Sequence, residues 1–165
     1  MTNTVTADRR HYEDLAVGEV IQFGKTTVTK DMIIEFAREF DPFPFHLDEE
    51  AAKRSLLGGL ASSGWQTAAL SLRMLDDAFL NQVASMGGLG FSDLKWKKPV
   101  MKGDTISGTA TISALRRSKS HPERGIVTLD FDIRNQKDEP VMSIRLANLV
   151  ELRDPTAPQN EGDKQ

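Results

Sequence analysis

The chain has 165 residues and no cysteine, and its 21 Lys and Arg against 24 Asp and Glu give a formal net charge of −3. This length fits one domain with a real core, the lack of cysteine excludes disulfides and a thiol nucleophile, and the charge offers no general attraction for nucleic acid. A polar N-terminus and no apolar run of membrane-spanning length predict a cytoplasmic protein with no membrane partner. We expect a flexible segment over residues 1–11, a domain over 12–153, and a disordered tail over 154–165, which is rich in proline, glycine and charge.

The first predicted elements are a strand, Val20 to Thr29, and a short helix. Thr29 is a good helix N-cap, Asp31 sits favourably in the first turn, and apolar residues recur at helical spacing up to Phe40. Pro42 then ends the helix, because a residue before proline is pushed out of the helical region.

Asp41 and His46 stand five residues apart in the segment Asp41-Pro42-Phe43-Pro44-Phe45-His46. Asp41 and Phe43 each precede a proline and are expected to be extended. The two prolines leave this loop few conformations, so it can hold the carboxylate and the imidazole in a preset relation. Histidine titrates near neutrality and a carboxylate can orient or share its proton, so the pair can place one water and move its protons. An exposed aspartate beside a structural histidine explains the spacing equally well, and on the pair alone both interpretations stay open.

A long helix is predicted to begin at the sequence Ser63-Gly64-Trp65-Gln66. These residues fit a capping box, in which Ser63 bonds the Gln66 amide, the Gln66 side chain reaches back, and the amides of Gly64 and Trp65 are left free. Free amides at a helix start can receive an oxyanion or a polarised carbonyl, although an ordinary capped core helix fits the pattern too. The apolar repeat continues for about five turns to Val83, which predicts a buried central helix.

After residue 88 the composition changes to runs rich in β-branched residues, separated by turn residues. We predict strands at Leu89 to Trp96, Asp104 to Leu115, Ile126 to Arg134 and Val141 to Leu152. With a second short helix capped by Asp48, the order is strand, two short helices, long helix and four strands. This order favours an α+β fold, with one long helix packed on an antiparallel sheet.

Three stretches of this chain occur together in a known family: F-A-x-x-F-D-P-F-P-F-H-x-D, G-G-L-A-S-S-G-W, and K-P-V-x-x-G-D-T after the strand that ends at Trp96. They resemble the MaoC-like dehydratases, the (R)-specific enoyl-CoA hydratase group, over roughly residues 12–152. The resemblance implies a single hot-dog fold, in which a curved antiparallel sheet wraps the long central helix. Hot-dogs of this family usually pair, and this chain has the length of one, so the resemblance implies a homodimer or a higher oligomer.

The resemblance also implies residue roles. In the family, an aspartate and a histidine activate the water that adds to C3 of a trans-2-enoyl thioester and deliver a proton to C2, and these roles map onto Asp41 and His46. A backbone amide that receives the thioester oxygen maps onto Gly64. The implied activity is that of a hydro-lyase acting on an acyl-CoA or acyl-carrier thioester, with no metal and no cofactor beyond the coenzyme A of the substrate.

Two departures from the family pattern concern polar groups beside the pair. The usual D-x-N-P-x-H has asparagine where this chain has Phe43, so a group that helps to order the site is missing. The usual A-H-G reads A-S-S-G, so Ser63 stands where histidine is frequent and can support a catalytic residue or only cap the helix. Phe43, Phe45 and Trp65 are candidates for an apolar acyl pocket, with core packing as the alternative.

Lys97, Lys98 and Arg116 are basic enough to bind the phosphates of coenzyme A, although the usual charges of exposed strands explain them as well.

Three classes of function stay open. The first, which the motifs favour, is a hydratase or dehydratase. The second is a hot-dog thioesterase, which would need an acidic residue on the central helix, where the sequence has Asp76 and Asp77. A non-catalytic acyl-thioester binding module is consistent with the missing asparagine.

Overall fold

The computed structural model describes residues 9–156. Its helices are α1 (Lys30–Phe40), α2 (Pro44–Leu47), α3 (Glu49–Lys53) and α4 (Gly64–Ala78), and its strands are β1 (Val20–Thr27), β2 (Ser85–Trp96), β3 (Thr105–Arg117), β4 (Arg124–Arg134) and β5 (Pro140–Glu151). The outer parts of the predicted flexible ends, residues 1–8 and 157–165, lie outside this range. Arg10 belongs to the fold, because its backbone is hydrogen-bonded to Gln82 and Ala84.

The five strands form one antiparallel sheet in the order β1-β3-β4-β5-β2. Side chains of β4 alternate between buried and partly exposed, so one face of the sheet carries the core. Helix α4 contributes Met74 and Leu75 to the same apolar cluster as Leu129 and Ile133 of β4. The predicted α+β class, with a long helix on an antiparallel sheet, is confirmed.

Helix α4 begins at Gly64 but ends at Ala78, earlier than the apolar repeat predicts. Phe79 leaves the helical region at φ −143° and ψ −57°, and a single 3-10 turn follows over Leu80–Gln82. The Phe79 ring is 3% exposed, so it continues the apolar repeat without continuing the helix. Within residues 9–156, no helix is long and apolar enough to cross a bilayer.

The loop after α1 is only partly extended. Phe43 is extended as predicted, at φ −75° and ψ 141°, whereas Asp41 adopts φ −153° and ψ 66°. Pro44 then starts the short helix α2, where the missing N–H of proline costs nothing. His46 therefore lies on a helical turn that the sequence did not predict.

Strand β2 begins at Ser85, four residues before the predicted start at Leu89. Gly87 and Gly88 indicate a turn in the sequence, but in the structure they lie inside the strand, where its register with β5 shifts. Gly87 has a φ of +115°, which favours glycine at this irregularity. The strand lies at the edge of the sheet and carries exposed apolar side chains, among them Leu89 and Phe91.

Candidate active site

Asp41 is held at the carboxyl end of α1. Its N–H donates to the Ala37 carbonyl over 3.0 Å, which makes it the C-cap residue of the helix. The other end of α1 begins as predicted, since the Thr29 hydroxyl accepts from the Met32 N–H at 3.2 Å. The carboxylate of Asp41 is thus fixed by a short capped helix rather than carried on a free loop.

His46 is buried and its tautomer follows from its partner. Nδ1 lies 2.8 Å from the carbonyl oxygen of Ala61, and a carbonyl oxygen can only accept, so Nδ1 carries a proton. In the neutral ring Nε2 is then an acceptor. Nε2 lies 3.6 Å from Oδ2 of Asp41. The structure therefore brings the predicted pair together, with two proton-accepting atoms facing each other.

Ser63 joins the pair through its hydroxyl. Its Oγ donates to Oδ2 of Asp41 over 2.6 Å and accepts from the Trp65 N–H at 3.2 Å. The predicted capping box is wrong, because Ser63 caps the second amide of α4 and not that of Gln66. The Gln66 side chain is buried and bonds elsewhere, accepting from the Ser62 hydroxyl and donating to the Met32 carbonyl, each over 2.7 Å.

Gly64 provides the free amide of the helix start. Among residues 9–156 no acceptor is found for its N–H, whereas the Trp65 amide, also predicted to be free, is bonded to Ser63. Partial positive charge at a helix N-terminus favours a negative or polarised oxygen there. A Cβ at Gly64 would lie 2.4 Å from Cε2 of Trp96, so only glycine lets this indole pack so closely.

These groups line one pocket of about 310 Å³. Asp41, His46 and Gly64 share it with four further residues that the sequence singled out: Phe45, Trp65, Lys97 and Lys98. The remaining lining residues are Leu57, Ser62, Thr67, Trp96, Pro99, Val100 and Val141. The pocket thus combines the acid/base pair, the free amide, an apolar wall and two exposed lysines.

Three of the predicted site residues do not line this pocket, although Ser63 contacts it through its hydrogen bond to Asp41. Phe43 is 57% exposed, and its ring stacks on the outer side of the pocket residue Phe45 at 5.2 Å between centroids. Arg116 is exposed near the far end of β3, paired with Ile126 of β4. The opposite end of β3 is the one near the site, so the structure does not place Arg116 beside Lys97 and Lys98.

Two residues that contact the site were missed by the sequence analysis. Ala61 supplies the carbonyl that orients His46, and Trp96 donates from Nε1 to the carbonyl of Gly64 over 3.0 Å. Neither contact follows from local spacing, because the partners are 15 and 32 residues apart. Ala61 contacts His46 through its backbone, so its side chain gives no sign of this role. Trp96 lies at the end of a strand, and the register of that strand with its neighbour decides where the indole lies.

Asp76 and Asp77, the acidic residues considered for a thioesterase, do not line this pocket. Asp76 is 12 residues after Gly64 on α4, which is roughly 18 Å along a helix axis. Burial raises the pKa of the Asp76 carboxyl. It lines a separate pocket of about 410 Å³ with Leu72 and Asn148. No acidic residue of the central helix therefore shares the pocket of Asp41 and His46.

A larger surface groove, of about 740 Å³, lies over β1, β3 and β4. It contains neither Asp41 nor His46, and its Arg134 is paired with Asp132 and Asp138. The smaller pocket is the one that holds Asp41, His46 and the free amide of Gly64. Residues 9–156 contain no group of three His, Asp or Glu side chains that could hold a metal ion.

Comparison with known sequences identifies relatives along most of the chain. A family model described as "MaoC like domain" matches residues 14–131. The uncharacterized protein YdeM of Bacillus subtilis is 30% identical over 139 residues, which are 84% of this chain and 96% of YdeM. The (R)-specific enoyl-CoA hydratase of Rhodospirillum rubrum is 28% identical over 125 residues, or 72% of this chain and 76% of the relative.

Comparison with solved structures points to the same family. The crystal structure of a MaoC-like dehydratase from Rhodospirillum rubrum matches with a TM-score of 0.80 and 43% sequence identity, covering 87% of this chain and 98% of that one. The sheet wrapped on a central helix is therefore the hot-dog arrangement that the motifs implied. The matched region includes Asp41, His46, Ser63 and Gly64, and the chain belongs to the MaoC-like domain family.

Proposed function

We propose that this protein is a hydro-lyase that adds water reversibly to a trans-2-enoyl thioester, giving a 3-hydroxyacyl thioester. The observation that carries the proposal is the 3.6 Å separation of His46 Nε2 and Asp41 Oδ2 in a pocket that also holds the start of α4. The activity in the name of the Rhodospirillum rubrum relative supports the same reaction.

The pair can hold the attacking water. Nδ1 of His46 carries the ring proton, which it donates to the Ala61 carbonyl. In the neutral ring Nε2 can therefore accept a hydrogen bond, as the Asp41 carboxylate can. A water between them donates one O–H to each, which directs its oxygen lone pair toward C3 of the substrate. As the oxygen attacks C3, one member of the pair removes a proton from the water, and the pair returns a proton to C2, so that H and OH have been added across the double bond.

The amide of Gly64 is suited to the charge that develops. Attack at C3 turns the thioester into an enolate, with negative charge on its oxygen. A helix N–H aimed at that oxygen stabilises the transition state more than the ground state. Loss of one such donor typically slows a reaction by about a hundredfold or more.

The carrier of the acyl group enters as part of the substrate, so this chemistry needs no further cofactor. Lys97 and Lys98 are exposed in the pocket lining and are suited to the phosphates of coenzyme A or of a carrier's phosphopantetheine. Lys98 is paired with Glu139 at 2.5 Å, while no acidic partner is found for Lys97 within the described residues. We therefore assign the stronger phosphate contact to Lys97.

We also propose that two copies pair through β2. Met86, Leu89 and Phe91 on this strand are 45–56% exposed, and Leu72 on the neighbouring α4 is 42% exposed. In the described part of the chain no strand pairs with the outer edge of β2. An apolar open edge favours strand pairing, and antiparallel pairing with a second copy covers the same residues on both chains.

An assay with two readouts tests the function. Crotonyl-CoA is incubated with the purified protein while the enoyl-thioester absorbance and the release of free thiol are followed together. The proposal predicts loss of the enoyl band without thiol release. Thiol release would indicate a thioesterase instead, and binding of the acyl-CoA with neither signal would indicate a binding module.

A further inference from the structure

Helix α1, which carries Asp41 at its end, has a narrow buried face. Among its eleven residues, all within the described part of the chain, Ile33 and Ala37 are the buried ones. Apolar contacts are non-directional, so this face alone does not fix how far the helix slides or turns on its support. Two hydrogen bonds from the start of α4 give the contact a direction.

Gln66 makes the first of these bonds, at the start of α1. Its side chain is 4% exposed, and its Nε2 donates to the carbonyl of Met32 over 2.7 Å. Its Oε1 accepts from the hydroxyl of Ser62, also over 2.7 Å. The Met32 carbonyl can only accept, so the nitrogen of the amide faces α1 and the oxygen faces Ser62. A buried amide with both ends bonded in this way has one orientation.

Ser63 makes the second bond, at the other end of α1, where its hydroxyl donates to Oδ2 of Asp41 over 2.6 Å. Met32 and Asp41 are nine residues apart, which is roughly 13 Å along a helix axis. The first turn of α4 therefore holds α1 near both of its ends. The same turn begins with Gly64, so the two bonds together set where the Asp41 carboxylate lies relative to the N–H that we assign to the thioester oxygen.

We infer that Gln66 is a positioning residue for Asp41, because its bond to Met32 holds α1 at the angle that places the carboxylate beside Nε2 of His46. The inference rests on the proposed hydratase function and adds a residue that does not itself line the pocket. Without the Gln66 bond, α1 can swing about the Ser63 bond. A displacement of about 1 Å at a reacting group can slow catalysis by about a hundredfold.

The test uses two substitutions of Gln66 and one matched control. Gln66→Met keeps the length of the side chain but has no donor. Gln66→Glu keeps its shape: the protonated carboxyl can donate to Met32 and accept from Ser62, whereas the ionised carboxylate has no proton to donate. The control is Ser71→Ala. Ser71 is also buried, but its hydroxyl donates to the Thr67 carbonyl within α4 itself, so its loss breaks no link to α1.

We measure kcat and KM for hydration of crotonyl-CoA between about pH 6 and about pH 9, below the melting temperature of each protein. Gln66→Met is expected to lower kcat by about ten- to a hundredfold and to change KM by less than about threefold, because the pocket lining is kept. Ser71→Ala should lower the melting temperature and keep kcat within about twofold of wild type. Gln66→Glu should approach the wild-type kcat at the acid end, since burial favours the protonated carboxyl, and lose activity relative to wild type as pH rises.

The outcomes separate positioning from a general loss of stability. A folded Gln66→Met protein with wild-type kcat would overturn the inference, and so would a fall in kcat of the same size in Ser71→Ala. If Gln66→Met does not fold, Gln66→Glu decides: its kcat relative to wild type should fall by about tenfold or more across the pH range, and a ratio that stays constant with pH would overturn the inference. These results leave the proposed function standing, whereas no hydration of any enoyl-CoA by wild type would overturn that function and the inference with it.

Discussion

The hydroxyl of Ser63 donates a 2.6 Å hydrogen bond to Oδ2 of Asp41, the same oxygen that lies 3.6 Å from Nε2 of His46. This contact connects the cap of α4 to the acid/base pair. The family pattern has an asparagine near the pair, at the position of Phe43, and often a histidine at the position of Ser63. Phe43 is 57% exposed here, and the side chain that is hydrogen-bonded to the carboxylate is that of Ser63.

Replacement of Ser63 by alanine is expected to lower both activity and stability. A hydrogen bond to a charged group is worth about 1.5–3 kcal/mol, so hydration kcat/KM should fall by about ten- to a hundredfold. Loss of the helix cap should lower the free energy of unfolding by about 1 kcal/mol. Ser63→Thr keeps a hydroxyl and should retain most of the activity. A folded Ser63→Ala protein with wild-type kcat/KM would show that the serine is only a cap.

Asp76→Asn is expected to leave hydration unchanged and to raise stability at neutral pH. Burial raises the pKa of this carboxyl in the folded state, so the stability that the group contributes is present below the unfolded pKa of about 3.9 and is lost as pH rises through the higher folded value. Removing the charge should therefore raise the free energy of unfolding at pH 7 and change it little at pH 3. Melting temperatures at both pH values test this, with Asp77→Asn, paired with Arg73, as the control. Loss of hydration in Asp76→Asn would place the residue in the site after all.

Glu49 joins the start of α1 to the turn before β3, since its carboxylate is bonded to Lys102 and to Lys30. The hydrogen bond from Lys102, followed by that from Lys30, lowers the pKa of Glu49 from 4.5 to about 2. Because the folded pKa is the lower one, its stabilisation is present above about pH 4.5 and is lost as pH falls toward 2. Glu49→Gln should lower the urea midpoint at pH 7, and its difference from wild type should shrink between pH 5 and pH 2.

The control for Glu49 is its neighbour Glu50, whose partner Lys53 lies on the same short helix. Glu50→Gln breaks no link between elements and should shift the midpoint less at pH 7. The Glu49 ion pairs lie at the surface, where the lysine partners are about half exposed, so high salt should reduce the effect of Glu49→Gln. A pH-independent difference between wild type and Glu49→Gln would contradict the assignment of this ion pair.

Phe91→Asp is expected to dissociate the proposed dimer. A carboxylate on each copy of β2 brings like charges to the middle of an apolar contact, where they lose hydration and repel. Light scattering on a sizing column should give twice the chain mass for wild type and the chain mass for the variant. Leu56→Asp, at a fully exposed leucine outside β2, is the control and should stay dimeric. A monomeric wild type at micromolar concentration would exclude this interface.

Local signals predicted much of the fold. The caps at Thr29 and Asp48 form as expected, the latter accepting from the Ala51 N–H over 2.8 Å. Helical periodicity and the proline stop placed Asp41 at the end of α1, and β-branched runs between turns located the four later strands along the chain, although not their order in the sheet. These features depend on residues a few positions apart, and such contacts can be read from spacing.

The remaining features depend on long-range partners. Gln66 does not close the capping box, because its buried side chain donates instead to the carbonyl of Met32, which is 34 residues away in the chain. Trp96 reaches Gly64 only because β2 pairs with β5 in one register. Phe43 and Phe45 look alike in the sequence, yet the turn of α2 points one outward and the other into the pocket.

The roles of Asp41 and His46 are decided by the enoyl-thioester absorbance of crotonyl-CoA with wild type beside Asp41→Asn and His46→Gln, with thiol release recorded in parallel. Each variant keeps the size of its side chain while removing the carboxylate charge or the imidazole. We predict hydration without thiol release in wild type and a fall of about a hundredfold or more in each folded variant. Asp41→Asn retaining most of the hydratase activity would contradict the assignment.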